Sequence, residues 1–114
     1  MDFPGFMTGL PGIDAPFPED AVTTNVVRSD SGLVVFFTVH KDFEVPEHSH
    51  GPQWGALFAG NIELTVDGVT RRCKPGDTWD IPAATLHSAR LCAGSRLMDV
   101  FAEPDRYPLK PGSP

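Results

Sequence analysis

The stretch "NIELTVDGVTRR", Asn61 to Arg72, predicts a β-hairpin. From Ile62 to Val66 apolar and polar side chains alternate, so one face of the segment is expected to be buried and the other to face water. Asp67-Gly68 supplies two residues that tolerate the positive φ angles of a type I′ turn. Val69 to Cys73 then forms the return strand.

Segments on both sides of this hairpin also have the composition of short strands. Leu33 to His40, "LVVFFTVH", is β-branched and aromatic, as is typical of a strand covered on both faces. Further strands are predicted at "TWDIP" and on either side of Ala93-Gly94, and no window keeps a sustained helical period. Seven or more short strands in a chain with 11 glycines and 12 prolines predict an all-β fold, a small antiparallel β-barrel or β-sandwich.

The first 20 residues differ from the remainder of the chain. The segment 1–20 is rich in proline, which fixes φ and removes a hydrogen-bond donor, so neither a regular helix nor a central strand is expected. Its phenylalanines make it too apolar for a solvated tail. We therefore expect an extended arm that packs on a single domain formed by residues 21–114, or on the neighbouring subunit of a homodimer; a flexible leader is the alternative.

Charge and composition exclude several classes of partner. The 114 residues carry a net charge of −6 and no basic run, so neither nucleic acid nor an anionic membrane is an expected partner. No apolar stretch reaches membrane-spanning length, and the N-terminus lacks the features of a signal peptide. Cys73 and Cys92 lack CxxC spacing, which favours a reduced cytoplasmic protein over a disulfide or a reactive thiol.

Three of the four histidines lie in two segments that could form one site. His48 and His50 alternate, so in an extended strand both side chains would project from one face, toward the barrel interior. Buried imidazoles must be hydrogen-bonded or bound to a metal, and imidazole suits zinc, iron, nickel and copper. A third histidine, His87, follows a proline-containing turn, whereas His40 is interpreted as a strand or surface residue.

This pattern resembles the cupin superfamily of conserved small β-barrels. The motifs of that family read G-x5-H-x-H-x(3,4)-E-x6-G and G-x5-P-x-G-x2-H-x3-N. The matching positions are His48, His50, Gly60, Gly76, Pro82 and His87. The resemblance covers roughly residues 33–100 and implies a cupin jelly-roll barrel.

The chain also departs from the two motifs. Asp42, Ala84 and Leu91 stand where the motifs have glycine, glycine and asparagine. Gln53 replaces the glutamate and lies one residue closer to His50 than usual.

The resemblance implies a metal site formed by His48, His50 and His87, with Gln53 as a candidate fourth ligand. The metal would be a divalent transition ion such as zinc, iron, nickel or manganese. An amide oxygen is neutral, so the charge of the ion would stay uncompensated by protein and would favour an anionic ligand. Alternatively, Gln53 does not reach the metal and bonds water or a ligand instead.

Other residues are assigned mainly structural roles. Trp54 and Trp79 are interpreted as core residues, with a pocket lining as the alternative. Asp80 and Glu47 lie near motif positions and are acid/base candidates, although solvated strand-end charges are the simpler interpretation.

Cupins host many activities, so the fold alone does not decide the function. The sequence favours a metal-dependent enzyme that acts on a small anionic organic molecule, without distinguishing an oxygenase from an isomerase, cyclase or lyase. A non-catalytic small-molecule-binding module is the main alternative. A structural protein with a vestigial pocket is the third.

Overall fold

The computed structural model describes residues 1–111. It contains one short helix, α1 (Gly5–Thr8), and nine strands. The strands are β1 (Val22–Ser29), β2 (Gly32–Val39), β3 (Phe43–His48), β4 (Gln53–Ala59), β5 (Ile62–Val66), β6 (Val69–Cys73), β7 (Thr78–Ile81), β8 (His87–Leu91) and β9 (Arg96–Phe101). The fold is all-β, as the sequence predicted.

The strands form two antiparallel sheets. One sheet has five strands in the order β1-β2-β9-β4-β7, and the other has four in the order β3-β8-β5-β6. Alternate side chains of each strand enter the space between the sheets, where the core lies. This arrangement of two facing antiparallel sheets is a jelly roll.

The hairpin of β5 and β6 confirms the prediction from Asn61–Arg72. Ile62 pairs with Cys73 and Val66 with Val69, and both turn residues have positive φ, 50° at Asp67 and 80° at Gly68. Positive φ at both central positions is the mark of a type I′ turn.

The N-terminal segment corrects one prediction and refines another. A regular helix was excluded there, yet α1 forms a single turn directly after Pro4. Proline is compatible with a helix start because the first N–H groups have no intrahelical acceptor. The segment packs on its own chain: Ile13 is buried and forms a bridge with Leu109, and the Phe3 ring contacts that of Phe36 at a centroid distance of 5.5 Å.

The two tryptophans have different environments. Trp79 is buried, as expected, whereas Trp54 is 39% exposed on the outer face of the five-stranded sheet, so its assignment to the core was wrong. Adjacent residues of a strand project to opposite faces, and Gln53 is the residue of this pair that points inward. Within residues 1–111, no helix has the length and apolar character needed to cross a membrane.

Candidate metal centre

The structure brings His48, His50 and His87 together. One ring nitrogen from each lies within 4.8 Å of the others, and the closest ring centroids, those of His48 and His87, are 4.2 Å apart. His48 ends β3 and His87 begins β8, and the two are register partners after a bulge in β3. The ladder between β3 and β8 therefore positions two of the three imidazoles.

His50 arrives by a different route from the one predicted. β3 ends at His48, so His50 lies in the following loop and not on a shared strand face. The loop is held by two hydrogen bonds: Ala84 N–H donates to the His50 carbonyl oxygen at 2.8 Å, and Gly51 N–H donates to the Glu103 carboxylate at 2.7 Å. These contacts bring the His50 ring to 5.2 Å from that of His48, measured between centroids.

Backbone carbonyls select the same tautomer of all three histidines. Nδ1 of His48 lies 2.8 Å from the Pro46 oxygen, Nδ1 of His50 lies 2.8 Å from the Gly51 oxygen, and Nδ1 of His87 lies 2.9 Å from the Thr85 oxygen. A carbonyl only accepts, so each Nδ1 carries the proton and each Nε2 keeps a lone pair. Nε2 is therefore the atom that each histidine can offer to a ligand.

The electrostatic environment favours the neutral form of two of these imidazoles. Burial lowers the pKa of His50 and of His87, and the nearby Arg106 guanidinium adds to the effect in both. The Arg106 guanidinium carbon lies 4.3 Å from the centroid of the Tyr107 ring. Neutral imidazole is the form that binds metal.

The donor set fits a divalent transition metal. Nε2 of His50 and of His87 and Oε1 of Gln53 are buried and have no hydrogen-bond partner among the described residues. Buried acceptors without partners are costly, and an ion bound between these atoms would satisfy them. Gln53 is thus oriented with a free oxygen in the same cavity as His48 and His87.

The cavity beside the histidines is small and mainly apolar. Its volume is about 60 Å³, enough for several waters or a small organic group. Its walls include Phe17, Phe43, Leu97, Phe101 and Tyr107. Glu47 and Asp80, the acid/base candidates from the sequence, are both exposed, and neither lines this cavity.

Asp99 is a cavity residue that the sequence interpretation missed. It is buried on β9, accepts a hydrogen bond of 2.8 Å from Trp79 Nε1, and is a diagonal neighbour of Gln53 on the adjacent strand. Burial raises the pKa of its carboxyl to about 6, although the Trp79 and Gln53 side chains act in the opposite direction. The signal was present in β9, where Leu97, Asp99 and Phe101 share the inward face.

Comparison with solved structures supports the cupin fold. KdgF from a Halomonas species superimposes with a TM-score of 0.70 and 25% identity, covering 82% of this chain and 87% of that chain. An RmlC-like cupin from Shewanella frigidimarina superimposes with a TM-score of 0.71 and 23% identity, covering 84% of this chain and 86% of that one. Oxalate decarboxylase from Bacillus subtilis matches with a TM-score of 0.66 and 19% identity over 77% of this chain and 26% of its own.

Sequence comparisons found no relatives. No protein-family model and no curated protein matches the chain. The structural neighbours are cupin proteins, so the resemblance seen in the two motifs is confirmed at the level of the fold.

Proposed function

We propose that the chain is a metal-dependent cupin that acts on a small anionic organic molecule. The observation that carries this proposal is the convergence of three imidazoles, each with an available Nε2, beside an apolar cavity that His48 and His87 help to line. Three protein ligands, three histidines among them, are typical of catalytic zinc sites, which leave a further position open to water or substrate. Gln53 is the proposed fourth ligand because its Oε1 is buried in that cavity without a protein partner.

The charges around the site support an anionic substrate. A bound divalent ion would supply Lewis acidity and two positive charges, and the proposed ligands are all neutral. Arg106 adds a cation close enough to depress the pKa of two of the histidines. One structural neighbour, oxalate decarboxylase, is named for a reaction of a small dicarboxylate.

Asp99 favours an enzyme over a purely binding module. It is a carboxyl group inside the cavity, and titratable groups in such positions are typical of catalytic sites. The proposed partner is a small molecule. We further propose that the protein is cytoplasmic and forms a homodimer, and its net charge of −6 argues against nucleic acid as a partner.

Metal analysis of protein purified without a histidine tag tests the proposal. We expect about one transition-metal ion per chain, at a site whose occupancy is lost on chelation and recovered with the same ion. Incubation of the loaded protein with a set of small carboxylic acids then separates turnover from binding. Release of product supports an enzyme, whereas a higher melting temperature without product supports the binding module. Protein that takes up no divalent metal would refute the proposal.

A further inference from the structure

Three strands place Trp79, Gly55 and Asp99 side by side on the inner face of the larger sheet. Gly55 of β4 pairs with Trp79 of β7 on one side and with Asp99 of β9 on the other. A Cβ atom on residue 55 would overlap both Trp79 Nε1 and Asp99 Oδ1. The absence of a side chain on Gly55 therefore lets the indole N–H reach across β4 and donate to the carboxyl group.

Gln53 is the next inward residue of β4 and shares the same carboxyl group. Gln53 and Asp99 are diagonal neighbours on adjacent strands, and Gln53 lowers the pKa of the Asp99 carboxyl as a hydrogen-bond donor does. Gln53 can only donate to a carboxylate through its NH2 group, which places that NH2 on the Asp99 side. A primary amide is planar, with its oxygen opposite the direction in which the NH2 points. Oε1 is consequently the atom that has no partner in the described chain and that remains available to the cavity.

We propose that Asp99 is a positioning residue, which acts through Gln53 by holding the amide so that its oxygen, and not its NH2, faces the three histidines. The use of that oxygen by a metal rests on the function proposed above, whereas the orientation itself is a property of the metal-free chain. The orientation matters because an amide oxygen can bind a cation or accept a hydrogen bond, and the NH2 group can do neither. Partners of this kind commonly change metal affinity by tenfold or more.

A matched pair of amino-acid backgrounds distinguishes positioning from simple structural support. In the Asp99→Asn variant, the new amide can still accept from Trp79, but its own NH2 then faces Gln53. The Gln53 amide must turn over to accept that donor, and its NH2 then faces the histidines. We expect zinc affinity to fall by about tenfold. In a Gln53→Glu background, the carboxyl groups of residues 53 and 99 are neighbours and compete for a proton. The same Asp99→Asn change replaces one of them with an amide, whose NH2 group can donate to the Glu at position 53 and hold it ionised. Zinc affinity should therefore rise.

The reversal of sign is the decisive result. Isothermal titration of zinc into the four chains (wild type, each single variant and the double variant) measures it as a double-mutant cycle. A structural role for Asp99 predicts a loss of affinity in both backgrounds. A fall in both, or an unchanged zinc affinity of Asp99→Asn, would overturn the proposal.

A second measurement does not depend on metal binding. Gln53 is the only glutamine in the chain, and Asn25 and Asn61 are the only asparagines, so its side-chain NH2 signals are readily assigned by NMR. In metal-free wild type these protons should exchange with solvent more slowly than those of exposed Asn61, and Asp99→Asn should shift them. Fast exchange in the wild type would overturn the proposal even if the variant failed to fold. Slow exchange in a chain that binds no zinc would support the positioning role while refuting the proposed function.

Discussion

His48 and His87 are register partners across β3 and β8, with ring centroids 4.2 Å apart. The bulge between Val45 and His48 shifts the β3 register directly before this pair. Two proposed ligands thus depend on one strand ladder, and the third, His50, depends on a loop tied to Ala84 and Glu103.

Replacement of His50 or His87 by alanine should remove the metal and leave the barrel folded. Each change deletes one proposed ligand while the strand pairing is unaltered. Metal content and far-ultraviolet circular dichroism measure the two effects, and His40→Ala is the matched control because His40 bonds Thr23 at the surface. Full occupancy in either ligand variant would count strongly against the assignment.

Gln53→Glu should weaken anion binding to the metal-loaded protein and tighten the metal. The added negative charge opposes an anionic ligand and attracts the ion. Gln53→Ala should loosen the metal only modestly and keep the preference for anions. Calorimetric titration of matched acid and amide ligands measures the preference, and equal affinities for the two in wild type would show that the site is not selective for charge.

Gly55→Ala should destabilise the fold by about 1–3 kcal/mol, the usual cost of overpacking a close-packed interior. The new methyl group would occupy the place where the Trp79 indole meets the Asp99 carboxyl group. Denaturant unfolding provides the measurement. Gly5→Ala is the control because no atom lies within 4 Å of a Cβ at that position. Equal stabilities of the two variants would contradict the packing described for β4.

Truncation of the N-terminal arm should weaken the proposed homodimer. Deletion of residues 1–18 also removes Ile13 and Phe17, which pack in the core, so it would lower the stability of the chain itself. Phe6→Ser is the sharper variant, because Phe6 is 79% exposed and contributes little to its own fold. Sedimentation analysis should show a lower association constant for Phe6→Ser than for Val69→Ser. Val69 is the control because it is also exposed but lies on β6 of the four-stranded sheet. A wild-type chain that is monomeric at high micromolar concentration would end this hypothesis.

Cys73 should resist alkylation in the folded protein, whereas Cys92 should react. Both cysteines are free, Cys73 is fully buried, and burial raises the pKa of its thiol. A buried neutral thiol is a poor nucleophile. Mass spectrometry after iodoacetamide treatment should detect a single modification on the native chain and two after unfolding. Equal labelling rates would be incompatible with the packing of β6.

Local patterns predicted the strands, while contacts between distant segments were harder to anticipate. The β5–β6 hairpin was predictable because alternation and the Asp67-Gly68 turn are both encoded within a dozen residues. The order of the larger sheet was not, since β4 lies between β9 and β7, and nothing in local periodicity specifies these partners. The site shows the same limit of local patterns. The three histidines were identified from the two motifs, whereas Asp99 reaches the site only because β9 pairs with β4, where Asp99 lies opposite Gly55.

Ala84 stands where the second cupin motif has glycine, and it adopts a φ of 61°. The left-handed conformation costs an L-residue with a Cβ about 1–2 kcal/mol. That strain lies in the turn leading to His87, at the residue whose N–H donates to the His50 carbonyl oxygen. A glycine would relax the turn but would widen the range of conformations open to it before any ligand arrives. With alanine, the chain loses some stability, but the turn that connects the His50 loop to His87 is stiffer.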